Sequence, residues 1–258
     1  MSSTIWTPTA LSSEARPYAG KAWRLVEAQH RVSTLRLVDN LAEQALLETV
    51  LEETKPPMPA ECSGLDYLFY TPFRYRPYPH GSRFRRAGHT PGVWYGSERV
   101  ETALAEMVFY RFLFFAASPN THFPEQAAEY TGFSARVEAA ALDLTAAPLA
   151  RDADQWGHLT DYAACQTLAE GARSAHVGIL RYVSVRDPKG GANLAILTCR
   201  AFAKPTPIDR QTWRIRIGRF GAQALREHPN QRMEFAPTCF DKDPRIAAMT
   251  WDRPARRT

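Results

Sequence analysis

Leu41, Ala45, Leu46, Val50 and Leu51 recur at helical spacing within DNLAEQALLETVLEETK, and Asp39 or Asn40 stands where a helix cap belongs. The pattern predicts an amphipathic helix ended by Pro56, Pro57 and Pro59. A second helix is predicted from Ser97 through ERVETALAEMVFYRFLFFAAS. Ser97 is its cap candidate, and Glu98 and Glu101 fall in the first turn, where the helix dipole favours acids. This run is apolar nearly all round, which predicts burial. A third helix is predicted at HLTDYAACQTLAEGARSA.

Strand-like runs are LDYLFYTPF (broken by Pro72), GVWYG, VGILRYVSV, NLAILTC, TWRIRIG and QRMEFAP, with turn chemistry in PHGSRF and RDPKGGA. The first 20 residues lack periodicity and read as an extended, loosely docked leader, while KAWRLVEAQ from Lys21 is too short to assign. There is no repeat, low-complexity linker or break in composition. The order of elements predicts one α+β domain with a mixed sheet over residues 61–258, preceded by a leader and helical extension over residues 1–60.

Composition adds little. The chain has 258 residues, 45% of them hydrophobic and 23% charged, enough for a substantial core and unlike a disordered chain. A net charge of +5 fits an anionic partner such as a phosphate-rich ligand, a nucleic acid or an acidic protein; it equally fits an arginine-rich composition without functional meaning. Cys62, Cys165, Cys199 and Cys239 show neither metal-ligand spacing nor a CxxC pair, and read as reduced thiols. The polar start lacks a signal-peptide core, and no apolar run is long enough for a membrane span. A cytoplasmic protein is expected.

The candidate chemistry begins in the basic, aromatic stretch after Thr71. Arg74, Arg76, Arg83, Arg85 and Arg86 alternate with aromatics before the first carboxylate, Glu98. Arg83 follows Gly81-Ser82, where glycine lets the backbone approach a ligand and arginine can grip a phosphate bidentately. Tyr95 precedes a glycine and the helix start, placed to stack on a planar ring or to pack in the core. Glu106 sits among Ala103, Phe109 and Tyr110 at helical spacing. A carboxylate there is costly unless it pairs with an arginine, such as Arg111 or one from 74–86, or lines a polar pocket. Ser184 ends an apolar strand before a charged, glycine-rich turn, a common place both for a site residue and for a strand end.

In order and spacing, GSRFRRAGHTPGVWYGSERVETALAE followed by GILRYVSVRDPKGGANLAI resembles the RES domain family, over roughly Leu65 to Phe235. Arg83 in GSRF matches the family arginine, Tyr95 in VWYGS the tyrosine, Glu106 in TALAE the glutamate and Ser184 in YVSVR the serine. The arginine-to-tyrosine loop is slightly longer than in compact members. The resemblance implies the toxin half of a toxin–antitoxin module paired with an Xre-like antitoxin, a fold similar to ADP-ribosyltransferase toxins, and consumption of NAD+. Glu106 would then stabilise the charge that builds on the ribose as nicotinamide leaves. Arg83 would hold the diphosphate or a ribose hydroxyl, with Arg74 of the same run as a further contact. Tyr95 would stack on the nicotinamide, and Ser184 would bond a ribose or the amide.

No metal or prosthetic group is implied, and the absence of a glycine-rich dinucleotide fingerprint fits NAD+ as substrate rather than redox cofactor. The acceptor of ADP-ribose stays open among water, phosphate and a protein side chain. The competing readings are a basic nucleic-acid-binding module, for which FRYRPYPHGSRFRR has suitable composition, and an interaction protein without catalysis.

Overall fold

The structure, a computed structural model, describes residues 6–27, 37–75, 79–88 and 90–253. Its organising strand is β3 (Ala128–Asp143), the longest in the sheet. Along one edge it pairs antiparallel with all of β1 (Arg16–Glu27). Its other edge takes β6 (Asp209–Gly218) antiparallel near its start and β4 (Ile179–Val183) parallel near its end. β4 pairs with β5 (Ala192–Ile196), β5 with β2 (Trp94–Ser97), and β2 returns to β1 through Trp23 and Ser97. Five strands thus close a ring, and β7 (Gly221–Arg226) and β8 (Gln231–Phe235) extend the sheet beyond β6.

The ring interior is filled by Trp94, Phe133, Ala135, Val137, Ile179, Leu194 and Ile196, and Phe69 stacks over it with Phe202. Helix α4 (Val100–Ala117) covers the β6–β8 end, burying Leu104, Val108, Phe109, Phe112 and Phe115 against Trp213, Ile215, Phe235 and Phe240. The opposite flank holds α1 (Pro8–Glu14) against α6 (Ala163–Ser174), with Leu11, Cys165, Leu168 and Ala172 buried together. Helix-to-strand alternation around one mixed sheet makes this an α+β fold, as the sequence predicts.

Several elements differ from expectation. The leader is no loose appendage, since α1 and β1 are built into the core, and β1 begins at Arg16 rather than Lys21. LDYLFYTPF is helix α3 (Tyr67–Arg74), not strand: Asp66 accepts from the Leu68 N–H at 2.9 Å and caps it, and its bulky residues bury one face, including Leu68 and Phe69. Backbone crowding also fixes α3, because a Cβ on Gly92 would lie 1.7 Å from the Pro72 carbonyl oxygen. Helix α2 (Leu41–Glu53) forms with Asn40 as its cap: Asn40 Oδ1 accepts from the Glu43 N–H, and the Glu43 carboxylate accepts from the Asp39 N–H and from Asn40 Nδ2. Its apolar stripe, however, faces outward: Leu46 is 64% exposed, and the side chain buried on this helix is Gln44. Short helices α5 (Ala153–Trp156) and α7 (Pro244–Ala247) complete the set.

The cysteines are not all reduced. Cys62 and Cys199 form a disulfide, with Cα atoms 5.4 Å apart across a sequence separation of 137. Spacing along the chain carries no trace of this pairing, which arises because two short 3-10 turns, Ala60–Cys62 and Cys199–Ala201, pack together. Cys165 and Cys239 are free.

Candidate active site

Where α4 crosses the mouth of the ring, a cavity of about 500 Å³ opens, the size of a small-molecule site. Glu106 stands on its wall. It is half-buried rather than sealed in the apolar helix, because the side of α4 bearing it faces the cavity. Among the described residues it pairs with no arginine. Instead Ser184 Oγ and Asn193 Nδ2 both donate to its Oε1 at 2.6 Å. Asn193 is itself oriented by Ser97, whose hydroxyl donates to Asn193 Oδ1 at 2.6 Å. Ser97 therefore ends β2 and serves the site, while the helix starts after Arg99 without a side-chain cap. Glu98, expected in the helix's first turn, pairs instead with Arg181 and accepts from Tyr18.

Ser184 follows β4 at the start of a tight hairpin. Its N–H donates to the Gly191 carbonyl at 2.8 Å, and its Oγ accepts from the backbone N–H groups of Arg186 and Asp187. Gly190 closes the turn at φ 66°. Asp187 accepts from Thr102 Oγ1 of α4 at 2.8 Å, which binds the hairpin to the helix carrying Glu106.

Arg83 also lines the cavity. It is buried, donates to the Trp156 carbonyl at 2.6 Å and lies 4.7 Å from the centre of the Tyr162 ring. The Tyr95 hydroxyl is hydrogen-bonded to Ser82 Oγ at 2.8 Å and accepts from the Phe84 N–H at 3.0 Å, clamping the turn on which Arg83 stands. Burial holds the Tyr95 hydroxyl above the usual tyrosine range, so it stays a neutral hydrogen-bonding group. Arg74 is not brought to the site. Helix α3 turns it away, and its guanidinium bonds Glu52 at 2.6 Å and the Pro56 carbonyl at 2.7 Å.

Sequence reasoning missed three contributors. Arg24, on β1, lines the cavity over the Trp94 ring at 5.4 Å. Its Nη1 is sealed from solvent without a hydrogen-bond partner among the described residues, and burial pushes the guanidinium down to about 10. The signal was a lone charge inside the apolar run WRLV. Asn193 is the one polar side chain in the strand ANLAI. Tyr182, beneath the cavity, left no distinguishing sign; burial, then the Glu106 charge, keeps its hydroxyl protonated.

A carboxylate fixed through one oxygen, set in a cavity with Arg24, Arg83, Arg85 and Arg186 on its walls, is suited to a substrate that is anionic overall and turns cationic where bonds change. Residues 58–217 match the family model of the RES domain, and the chain belongs to that family. A crystal structure of the M. tuberculosis MbcT–MbcA toxin–antitoxin complex is similar over 92% of this chain and 95% of that one, at 15% sequence identity and a TM-score of 0.44. No curated protein matches the sequence.

Proposed function

We propose that this protein is the toxin of a toxin–antitoxin pair, that it cleaves the nicotinamide–ribose bond of NAD+, and that it passes the ADP-ribose to an acceptor. The observation that carries the reading is the half-fastened carboxylate of Glu106. Oε1 is held by Ser184 and Asn193, while Oε2 has no partner among the described residues. As the glycosidic bond lengthens, the electron pair leaves with nicotinamide and the ribose becomes positively charged; a pre-oriented carboxylate stabilises that charge without reorganising. Arg83, Arg24 and Arg85 supply positive charge for the diphosphate. An acceptor oxygen or nitrogen then bonds to the ribose carbon and releases its proton.

The nucleic-acid alternative draws no support from the basic stretch once folded. Arg74 and Arg86 are engaged with Glu52 and Glu170, and Arg83 points inward, so the described residues of the run present no continuous cationic face; Arg76 lies outside them. The acceptor is assigned to the set of water, phosphate and a protein side chain. The partner is an antitoxin protein of the Xre-like type, and the setting is the cytoplasm; no described helix is long and apolar enough to cross a membrane.

The test is incubation of the purified protein with NAD+, with and without phosphate and cell extract, following nicotinamide. Release by the protein alone supports NAD+ degradation, and a phosphate requirement names that acceptor. Release only with extract, with label on a protein band, makes it a protein ADP-ribosyltransferase. No release under any condition refutes the reading.

A further inference from the structure

Arg186 lines the cavity but has no part in the bond-breaking step above, and it touches three of the segments that build the site. It lies two residues after Ser184, with its side chain 6% exposed, and its Nη1 is 2.8 Å from Oδ2 of Asp243, which is 1% exposed. Its Nη2 donates to the Leu159 carbonyl at 2.7 Å, in the loop leading to Tyr162, the ring that covers Arg83. Its guanidinium sits 3.8 Å from the centre of the Phe109 ring, one turn beyond Glu106 on α4. Its backbone N–H donates to Ser184 Oγ at 3.2 Å.

Asp243 is itself immobilised. It caps α7, accepting from the Arg245 N–H at 3.0 Å, and its two oxygens accept from the Arg245 guanidinium at 2.9 and 2.7 Å. A buried ion pair of this kind is not an efficient route to stability, since apolar residues of the same volume commonly serve as well or better. What the pair supplies is direction: one guanidinium, held in one orientation, registers the Ser184 hairpin, the Glu106 helix and the Tyr162 loop against each other.

We propose that Asp243, acting through Arg186, is a positioning residue of the active site. It lies beyond the matched segment 58–217, and it keeps Ser184 within bonding distance of Glu106. The proposal rests on Glu106 being the carboxylate of the proposed reaction.

The experiment is steady-state nicotinamide release from NAD+ by the full chain carrying Asp243→Asn or Asp243→Glu. Misplacement of a catalytic group by a fraction of its bond length costs about 10–100-fold, so Asp243→Asn should lower kcat by that factor. KM should stay within about threefold, because ground-state binding is not what is lost. Asp243→Glu keeps the charge and should recover most of kcat. Parental kcat in Asp243→Asn, a loss confined to KM, or a lowered Tm with unchanged kcat each overturn the proposal.

If the parent chain releases no nicotinamide, the proposed reaction has failed, and a crystal structure of Asp243→Asn decides the positioning claim separately. A broken Ser184–Glu106 hydrogen bond supports it, and an unchanged 2.6 Å contact overturns it. If Asp243→Asn does not fold, Arg186→Lys replaces it in both measurements, with the same expected loss: lysine keeps the charge but cannot make the three contacts together.

Discussion

Ser184 Oγ and Glu106 Oε1 meet at 2.6 Å across 78 residues of sequence, and Asn193 donates to the same oxygen. Both donors act on one side of the carboxylate, which fixes its plane and leaves the other oxygen to the cavity. Glu106→Gln preserves that shape and an acceptor for the two donors but removes the charge. Nicotinamide release should fall about 100–1,000-fold, the usual loss when one electrostatic stabiliser of a transition state is removed. Circular dichroism and Tm should match the parent, and release at the parental rate would exclude Glu106 from the chemistry.

Arg24 sets stability against binding. Its Nη1 is buried without a partner among the described residues, and the lowered pKa of the guanidinium means that the folded state disfavours the charge it carries at neutral pH. Arg24→Met should stabilise the free protein by about 1–3 kcal/mol, the gain from removing a buried charge less the lost contact with Trp94. If Arg24 holds a phosphate of NAD+ as proposed, the same variant should raise KM for NAD+ at least about tenfold, because that charge-assisted contact would be lost. Urea unfolding and initial rates read the two effects independently; destabilisation with unchanged KM would contradict this account of Arg24.

Acid should unfold the protein through three carboxylates. The hydrogen bond from Arg181 holds Glu98 below its usual range. Burial works against Asp143 and Asp243, but hydrogen bonds from Thr145 and Arg245, with the neighbouring arginine charges, still hold both low. A depressed folded-state pKa contributes stability that is present above the unfolded value and lost as pH falls through the folded one. Tm should therefore be nearly flat from about pH 7 to 5 and drop below about pH 4, where unfolded carboxylates titrate. In Glu98→Gln that drop should be shallower, which a thermal scan across pH 3–7 will show.

Gly191 is a packing requirement of the site. A Cβ there would lie 2.1 Å from Thr102 Oγ1 and 2.6 Å from Asp187 Oδ2, inside the contact that binds the Ser184 hairpin to α4. Gly191→Ala should cost about 1–3 kcal/mol, as overpacking does. It should also lower kcat, because Ser184 hangs from the Gly191 carbonyl. An unfolding midpoint equal to that of the parent would show that the hairpin yields freely.

How much of this could be read from the chain depends on how local the signal is. Helix α4 was legible because its apolar run is long, and Arg83, Tyr95, Glu106 and Ser184 were found because their order and spacing along the chain are themselves a pattern. β3 is not visible in the sequence, although three strands depend on it: AEYTGFSARVEAAALD mixes alanines with charges and alternates poorly, since both of its faces are covered over residues 132–135. LDYLFYTPF has the look of a strand, whereas the Asp66 cap and contacts with Phe202 decide for helix. Arg74 belongs to the same basic run as Arg83, but the helix geometry sends it to Glu52. The bond between Cys62 and Cys199 has no local signal at all.

The ring of five strands is closed by the first of them, and its cavity is finished by a residue close to the other end of the chain. During synthesis β1 precedes β2 and β3, the strands that satisfy its two edges. The fastening of Arg186 must wait longer, until Asp243 has left the ribosome, about ten to forty seconds after Arg24 at ordinary elongation rates. A nascent chain therefore holds Glu106 without the arrangement around it. Whatever this site does to the cell that makes it, its full rate is reached only once translation has passed Asp243.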